Sequence, residues 1–374
     1  MTRTVMIVAG EASGDLHGAS LLRALREWDP ALRAFGIGGQ HLVAEGLEVL
    51  VPTSEVATMG LTETFGSLTR VWRAYRKARQ ALRERRPQLI VLIDYPEFNL
   101  RLARYAKQLG LKVFYYISPQ VWAWRRGRVR LMRRVIDRLA VVFPFEEELY
   151  NHGSGRLAFF VGHPLIDLVQ PTRAPAETRQ RYGFDPDRPL LALLPGSRRK
   201  EVRMLMPAAL ETARALARRG WQSALALAPT LDRADLTQAL DARALDGVPI
   251  VQGDTYNLVH AADVALVASG TATLETALLG KPMVIVYRVS PFTYALGRML
   301  IRVDHIGMPN LILGRRVAPE FLQNDVQPQT LVPAIEEVWS ARDRFAQAWI
   351  ELRQRLGAPG AAKRAAKLAW ELIA

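Results

Sequence analysis

The sequence contains no cysteine among its 374 residues, which excludes disulfide bonds, thiolate metal sites and a cysteine nucleophile. It also lacks any apolar run that approaches the roughly 20 residues needed to span a bilayer. The first apolar run, residues 5–9, ends at a glycine turn and is too short for the core of a signal peptide, so we interpret it as a first strand. These absences predict a cytoplasmic protein, or one on the surface of a membrane.

Acidic residues are fewer than basic ones, 36 against 50, which gives a formal net charge of +14. Such an excess implies an acidic partner, which could be nucleic acid, anionic lipid or a phosphorylated substrate. The positive charge is concentrated in the first half, at residues 70–86 and 125–138. A basic nucleic-acid-binding protein is the weaker alternative, because the sequence has no zinc-finger, recognition-helix or aromatic RNA-platform signature.

Short apolar segments alternate with helical patterns in both halves, as in parallel sheets that are covered on both faces. A stretch rich in proline, arginine and aspartate, residues 171–189, separates the two halves. The pattern predicts an α/β protein with two doubly wound, Rossmann-like domains that face a cleft. The predicted domains are residues 1–172 and 173–344, and a C-terminal helix at about 345–374 packs back on the first domain or exchanges between the chains of a homodimer. The predicted strands are 5–9, 35–39, 89–93, 113–117, 139–143, 159–161, 190–194, 221–228, 249–251, 263–268 and 283–287.

Two turns in the second half are suited to phosphate. Each follows a predicted strand and opens a helix, so that unpaired N–H groups and the positive end of the helix dipole face a ligand. The first of them, residues 195–198, includes Arg198, which adds a cation. The second is residues 269–273. Glu275 lies half a helical turn into the helix that follows it and is placed to accept hydrogen bonds from ribose hydroxyls. An ordinary capped turn is the alternative for the second. Its phosphate-facing residues are Ser269, Gly270, Thr271 and Thr273.

These features predict a site for a nucleoside diphosphate that does not use a P-loop, since GxxxxGK[ST] is absent. The HExxH motif does not occur, so the sequence implies no metal, and no cofactor is predicted.

Asp94 follows a predicted strand, and Pro96 ends that strand two residues later. A carboxylate at the carboxyl edge of a parallel sheet projects toward the ligand cleft, and apolar surroundings would raise its pKa toward that of a general base. The alternative is that Asp94 caps the helix that begins near Asn99. Gly162 follows another predicted strand, 159–161, and the next residue, His163, is either a base or a structural hydrogen-bonding group.

The segment 59–86 has an apolar stripe on one side and arginine and lysine on the other. This pattern is typical of a helix that lies in an anionic membrane interface. The alternative is a helix that covers the sheet and exposes a solvated basic face. The predicted membrane-facing residues are Leu61, Phe65, Leu68, Val71 and Trp72.

Motifs along nearly the whole chain resemble those of the lipid-A-disaccharide synthases, family 19 of the glycosyltransferases, which have the GT-B fold. The matching motifs are GEASGD at 10–15, DYPEFN at 94–99, SPQVWAW at 118–124, FVGHP at 160–164, LLPGSR at 193–198, SGTATLE at 269–275, KPMVIVYR at 281–288 and MPNLI at 308–312.

The resemblance implies a hexosyltransferase of lipid A biosynthesis at the inner-membrane surface of a Gram-negative bacterium. Its donor would be UDP-2,3-diacylglucosamine and its acceptor 2,3-diacylglucosamine 1-phosphate, giving the β-1,6-linked disaccharide 1-phosphate with inversion, and UDP. The resemblance makes Asp94 the base on the acceptor's 6-hydroxyl and assigns UDP to Arg198, Glu275 and Asn310. The residues that line the acceptor side would be Glu11, Ser13, Gly14, Asp15, Asn99 and His163. A UDP-sugar epimerase of the same architecture is the alternative.

Overall fold

The computed structural model describes residues 2–56, 65–119, 127–152, 155–239, 247–290, 294 and 304–374, and for 65–68 and 237–239 it describes the backbone alone. The chain forms two compact units: Met1–Pro164 together with Leu356–Ala374, and Leu165–Arg355. This division differs from the predicted bounds at 172 and 344.

The first unit is built on a parallel sheet in the order β3-β2-β1-β4-β5-β6-β7. Its order reverses between β1 and β4, which makes the carboxyl ends of these two strands the place where α/β proteins bind ligands. The strands are β1 (Thr4–Ala9), β2 (Arg33–Gly38), β3 (Glu48–Pro52), β4 (Leu89–Ile93), β5 (Lys112–Tyr116), β6 (Arg138–Val141) and β7 (Ala158–Phe160).

The second unit contains a parallel sheet in the order β10-β9-β8-β11-β12-β13, whose reversal lies between β8 and β11. The central strands of both sheets are apolar throughout because helices cover both faces. The strands are β8 (Leu190–Leu194), β9 (Gln222–Leu227), β10 (Ile250–Gln252), β11 (Val264–Ala268), β12 (Met283–Tyr287) and β13 (Glu320–Leu322).

Helices connect the strands, and the last helix, α17, returns to the first unit. In chain order the described helices are α1 (Ala12–Arg26), α2 (Gln40–Ala44), α3 (Thr53–Val56), α4 (Phe65–Arg85), α5 (Pro96–Gln108), α6 (Arg128–Val135), α7 (Pro144–Asn151), α8 (Leu165–Leu168), α9 (Pro175–Tyr182), α10 (Arg199–Ala217), α11 (Arg233–Ala239), α12 (Thr255–Ala261), α13 (Thr271–Leu278), α14 (Met308–Leu313), α15 (Pro328–Ser340), α16 (Asp343–Arg355) and α17 (Ala361–Trp370).

Helix α17 packs on α1 of the same chain. The rings of Trp28 and Trp370 meet edge to face with centroids 6.0 Å apart. The guanidinium of Arg364 donates from Nε to the carbonyl oxygen of Val161 at 2.8 Å. Apolar contact and a charged hydrogen bond therefore hold the end of the chain on the first unit.

Three regions differ from the sequence predictions. The glycine and proline of residues 307–313 predict a loop, but Met308–Leu313 forms helix α14, with Pro309 in its first turn and Gly314 ending it in the left-handed conformation. The stretch 171–189 contains a helix, α9. The C-terminal helix predicted at about 345–374 is two helices, α16 in the second unit and α17 in the first.

Helix α4 covers the first sheet, which corrects part of the predicted membrane face. Val71 is buried in the core with Ala74 and Ala78, so it does not face a membrane. Trp72 is 60% exposed. Of the other predicted residues, Leu61 lies outside the described residues, and the side chains of Phe65 and Leu68 do too. Among the described helices, none combines the length and apolar character needed to cross a membrane.

Candidate active site

The first unit brings two predicted site segments together at its switch point. Strands β1 and β4 are neighbours with Ala9 opposite Ile93. The segment after β1, residues 10–15, therefore lies beside the segment after β4, residues 94–99, as expected for parallel strands that end at one edge. Each segment is a short turn followed by the first residues of a helix, α1 or α5.

The turn that carries Asp94 has a strained backbone. Asp94 and Tyr95 have φ angles of 44° and 48°, a region that residues other than glycine rarely occupy. The carbonyl group of Asp94 accepts hydrogen bonds from the Tyr115 hydroxyl and from Nδ2 of Asn99, the latter at 2.7 Å. The same amide donates to the Ile93 carbonyl at 3.1 Å. These bonds fix the backbone from which the Asp94 side chain projects, and strain held in this way is characteristic of functional sites.

Gly10 is required because of the ring of Tyr95. A β-carbon at position 10 would lie 2.2 Å from Cδ1 of Tyr95, inside van der Waals contact. The ring stacks on Phe98, and its hydroxyl donates to the Val56 carbonyl at 3.0 Å, so it has little freedom to move. Gly10 thus permits the packing of the Tyr95 ring, which supports the turn that carries Asp94.

Asp94 is half-buried and has the electrostatics of a base. Burial, with a smaller contribution from the neighbouring carboxylate of Glu11, raises the pKa of Asp94 from 3.8 to about 6. The carboxyl group is therefore ionised at neutral pH and more basic than an ordinary aspartate, which suits proton abstraction.

Asp15 is buried and caps α2 instead of facing a substrate. Its carboxylate accepts hydrogen bonds from the backbone N–H groups of Gly39 at 2.6 Å, His41 at 2.9 Å and Leu42 at 3.2 Å. These contacts argue against the predicted direct acceptor contact and for a role in holding the first turn. In the same turn Ser13 is exposed, whereas Gly14 is buried.

Two predicted acceptor residues have structural surroundings. Both amide protons of Asn99 are used in the Asp94 turn. Burial lowers the pKa of His163 to about 3, with a contribution from His17, and burial lowers the pKa of His17 to about 4. Both imidazoles are thus neutral and too weakly basic for proton abstraction at pH 7, which favours the structural alternative for His163.

The second unit repeats the arrangement with different chemistry. Strands β8 and β11 are neighbours with Leu194 opposite Val267, so the turns 195–198 and 269–273 lie side by side. The side chain of Arg198 is 75% exposed and contacts Glu201, from Nη1 to Oε1, at 3.2 Å. Its guanidinium has five N–H donors, so most remain available to an anion.

Side chains of the second turn stabilise its shape. The Ser269 hydroxyl donates to the Ile306 carbonyl at 2.7 Å. The Thr273 hydroxyl is buried, donates to the Gly270 carbonyl at 2.7 Å and accepts from the Met308 N–H at 3.3 Å. Since these hydroxyls are used internally, the turn offers a phosphate the N–H groups of the first turn of α13, near Thr271, which have no intrahelical acceptor.

Glu275 is half-buried, and the Tyr256 hydroxyl donates to its Oε1 at 2.9 Å. Burial raises the pKa of Glu275, and the bond from Tyr256 acts in the opposite direction.

The buried side chain of Asn310 organises the segment 306–320, which contains α14. Its Nδ2 donates to the Ala318 carbonyl at 2.7 Å and to Glu320 Oε1 at 2.8 Å, and its Oδ1 accepts from the N–H groups of Val317 and Ala318. These bonds use its amide fully, which argues against the predicted direct contact with UDP. Glu320 also accepts from the Ile306 and Gly307 N–H groups, at 3.0 and 2.9 Å.

Sequence reasoning missed three residues that support the candidate site: Tyr115, Tyr256 and Glu320. Tyr115 lies in an apolar strand, where an aromatic residue indicates only core. Tyr256 and Glu320 lie outside the turns that carry the motif signals. Within the described residues, no group of three or more His, Asp or Glu side chains is placed to hold a metal ion.

Comparison with known proteins identifies close relatives. A family model described as lipid-A-disaccharide synthetase matches residues 5–367. The lipid-A-disaccharide synthase of Syntrophus aciditrophicus (strain SB) is 46% identical over 377 residues, which span 100% of this chain and 98% of the relative.

Solved structures of low sequence identity share the fold. The calicheamicin glycosyltransferase CalG4 has a TM-score of 0.61 at 16% identity, over 100% of this chain and 98% of that chain. A UDP-GlcNAc 2-epimerase from Neisseria meningitidis, bound to UDP-GlcNAc, has a TM-score of 0.62 at 11% identity, over 99% and 98%. The predicted fold class, two doubly wound Rossmann-like domains of the GT-B type, is confirmed.

Proposed function

This chain belongs to the lipid-A-disaccharide synthase family and is therefore a hexosyltransferase that forms the lipid A disaccharide, and we propose here which substrates it uses and which residues act on them. The donor is UDP-2,3-diacylglucosamine and the acceptor is 2,3-diacylglucosamine 1-phosphate. The products are the β-1,6-linked disaccharide 1-phosphate and UDP.

The donor binds at the switch point of the second unit. The diphosphate lies against the first-turn N–H groups of α13 and the guanidinium of Arg198, which together neutralise the charge that develops on the leaving UDP. Glu275 accepts hydrogen bonds from the ribose. Arg198 and α13 follow two neighbouring strands, β8 and β11, and this arrangement supports the assignment. Ser269, Thr273 and Asn310 act indirectly, by holding the loops.

Asp94 is the general base, and its position and pKa carry this part of the proposal. It takes the proton from the 6-hydroxyl of the acceptor while that oxygen forms a bond to the anomeric carbon of the donor. The bond from that carbon to the β-phosphate oxygen breaks, and its electron pair leaves with UDP. One displacement of this kind inverts the anomeric centre. A carboxyl pKa of about 6 keeps the base mostly ionised at physiological pH.

The two domains divide the substrates between them. The first unit, Met1–Pro164 with Leu356–Ala374, carries the acceptor, and the second unit, Leu165–Arg355, carries the donor. Helix α17 packs on the first unit of its own chain, and exchange of α17 between the chains of a homodimer is the alternative. Light scattering detects a dimer, and a cross-link between position 28 of one chain and position 370 of the other would show the exchange.

Product mass tests the reaction directly. The purified protein is incubated with the UDP donor alone, with the acceptor alone and with both, and we expect disaccharide phosphate and UDP only from both. Asp94→Asn is the matched variant, which should bind UDP normally and form no product. A near-normal rate in this variant would remove Asp94 from the role of base. Epimerisation of the donor sugar without acceptor would instead indicate an epimerase, and NMR is used to detect it because an epimer has the same mass as the donor.

The enzyme works at the cytoplasmic surface of the inner membrane, with the exposed side of α4 against anionic lipid. Trp72 is exposed there, and the guanidinium of Arg76 lies 4.7 Å from the centroid of its ring. An exposed indole among cations suits a membrane interface. The surrounding exposed cationic residues of α4 are Arg70, Arg73, Arg76, Lys77 and Arg79.

Vesicle sedimentation tests this association. Vesicles of phosphatidylglycerol and phosphatidylcholine should bind the protein more strongly than phosphatidylcholine alone, and Trp72→Ala should weaken binding. Ile350→Ala is the control, since Ile350 is an exposed apolar residue of the second unit, 52% accessible. Equal losses in both variants, or no loss in Trp72→Ala, would contradict the assignment of α4.

A further inference from the structure

Tyr256 and Glu275 connect two helices of the second unit beside the proposed donor site. Tyr256 lies in the first turn of α12, and Glu275 lies in α13, the helix whose N-terminus faces the switch point. The Tyr256 hydroxyl donates to Oε1 of Glu275 at 2.9 Å, a normal length for such a bond. Both side chains are half-buried, so neither moves as freely as a surface residue.

The carboxylate of Glu275 differs from three others in this unit, each of which pairs with an arginine. Glu201 pairs with Arg198, Asp254 with Arg173, and Asp263 with Arg179. Within the described part of the chain, Glu275 forms no ion pair. A carboxylate that is held by one neutral hydroxyl keeps acceptor capacity on its second oxygen, which suits it to bind further hydroxyl groups.

The hydroxyl of Tyr256 also favours the form of Glu275 that accepts hydrogen bonds. Burial raises the pKa of Glu275, which disfavours the ionised carboxylate, and the hydrogen bond from Tyr256 opposes that effect. The tyrosine thus restricts the orientation of the carboxylate and stabilises its charge.

We propose that Tyr256 is a positioning residue for the donor: by holding Oε1 of Glu275, it directs Oε2 to the hydroxyl groups of the UDP ribose. This inference rests on the proposed function, which makes Glu275 the ribose contact. The competing explanation is that the bond between Tyr256 and Glu275 only ties α12 to α13, in which case its loss would lower stability without changing ligand selectivity.

Binding of two nucleotides distinguishes these explanations. Dissociation constants of UDP and 2′,3′-dideoxyuridine diphosphate are measured by calorimetry for the wild type, Tyr256→Phe and Glu275→Gln. We expect Tyr256→Phe to weaken UDP binding roughly threefold to tenfold, the effect of one misdirected hydrogen bond, and to leave binding of the dideoxy nucleotide unchanged. The KM for the UDP donor should rise by a similar factor, with little change in kcat.

Tyr182→Phe is the matched control. In the wild type the Tyr182 hydroxyl donates to Oδ2 of Asp254 at 2.7 Å, so the substitution removes a hydrogen bond from a tyrosine to a carboxylate in the same unit. We expect this variant to bind both nucleotides as the wild type does. Thermal unfolding of every variant shows whether the fold is retained.

Three results would overturn the inference: unchanged UDP binding in Tyr256→Phe, equal weakening for the two nucleotides, or an equal effect in Tyr182→Phe. If Glu275→Gln discriminates between the nucleotides as the wild type does, the ribose contact itself is wrong. A wild-type protein that binds neither nucleotide would contradict the proposed donor and with it this inference, and that result is distinct from a failure confined to Tyr256.

Discussion

Replacement of Asp94 by asparagine should stabilise the protein while it abolishes turnover. Asparagine has nearly the same shape as aspartate, and the bonds from Asn99 and Tyr115 reach the backbone carbonyl of residue 94 rather than its side chain. The local fold should therefore survive, and the main change is the loss of a half-buried charge beside Glu11.

The pKa of Asp94 fixes the sign and size of this effect. The carboxyl group ionises near 3.8 in the unfolded chain and near 6 in the folded one. Between these pH values the folded protein holds a proton that the unfolded chain has lost, so stability falls as the pH rises from 3.8 to 6 and stays lower above 6. The full difference corresponds to about 3 kcal/mol. Because solvent screens a half-buried group, we expect a gain of about 1–2 kcal/mol for Asp94→Asn at pH 8.

Urea unfolding at pH 8 and at pH 4 measures this gain. The free energy of unfolding of Asp94→Asn should exceed that of the wild type at pH 8, and the two should converge at pH 4. Glu48→Gln is the control, because the pKa of Glu48 is shifted in the opposite direction: a hydrogen bond from Arg85 lowers it. This variant should show no increase in the free energy of unfolding at pH 8. Equal stabilities at pH 8, or a gain that does not depend on pH, would refute the reasoning.

Three further substitutions test the support of the site. Tyr115→Phe removes one of the two side-chain donors to the Asp94 carbonyl. Because the base would then be displaced, kcat should fall by about tenfold to a hundredfold with little change in KM. An unchanged kcat would show that the hydrogen bond from Tyr115 does not position Asp94. Gly10→Ala should lower the free energy of unfolding by about 1–3 kcal/mol, because the added carbon meets the Tyr95 ring, and an unchanged urea midpoint would show that the ring can move. Arg198→Lys keeps the charge but loses the two-pronged contact, so calorimetry should show UDP bound about tenfold more weakly, whereas equal affinity would exclude a bidentate phosphate contact.

The sequence predicted the central strands well because a strand that is buried on both faces is a continuous run of apolar residues, which local composition alone reveals. The edge strands β3 and β13 were missed for the same reason, since each is short and partly exposed and so lacks a continuous apolar run. Helix α14 was missed because its proline and flanking glycines resemble a loop. Those residues instead begin and end a helix of six residues.

For the candidate site, sequence position identified the residues at strand ends but not what each does there. Asp94 follows a buried strand, and this fact alone places it at the edge of a parallel sheet. The buried contacts of Asp15 are to backbone groups that lie 24 or more residues away in the sequence. Those of Asn310 depend on a segment that Glu320 holds in place. Motif membership cannot separate a residue that touches substrate from one that holds a loop, because both are fixed in type and spacing.

The two units use the same topology to produce opposite electrostatics. In the first, the switch point holds Asp94 half-buried beside Glu11, and both burial and like charge raise its pKa, so the site favours a proton acceptor. In the second, the switch point exposes the cation of Arg198 beside the positive end of a helix, so the site favours an anion. A transfer between a hydroxyl and a sugar diphosphate needs both properties, and they conflict at close range, since a nearby arginine would lower the pKa of the base. Two separate sheets, each with its own switch point, allow both to be kept.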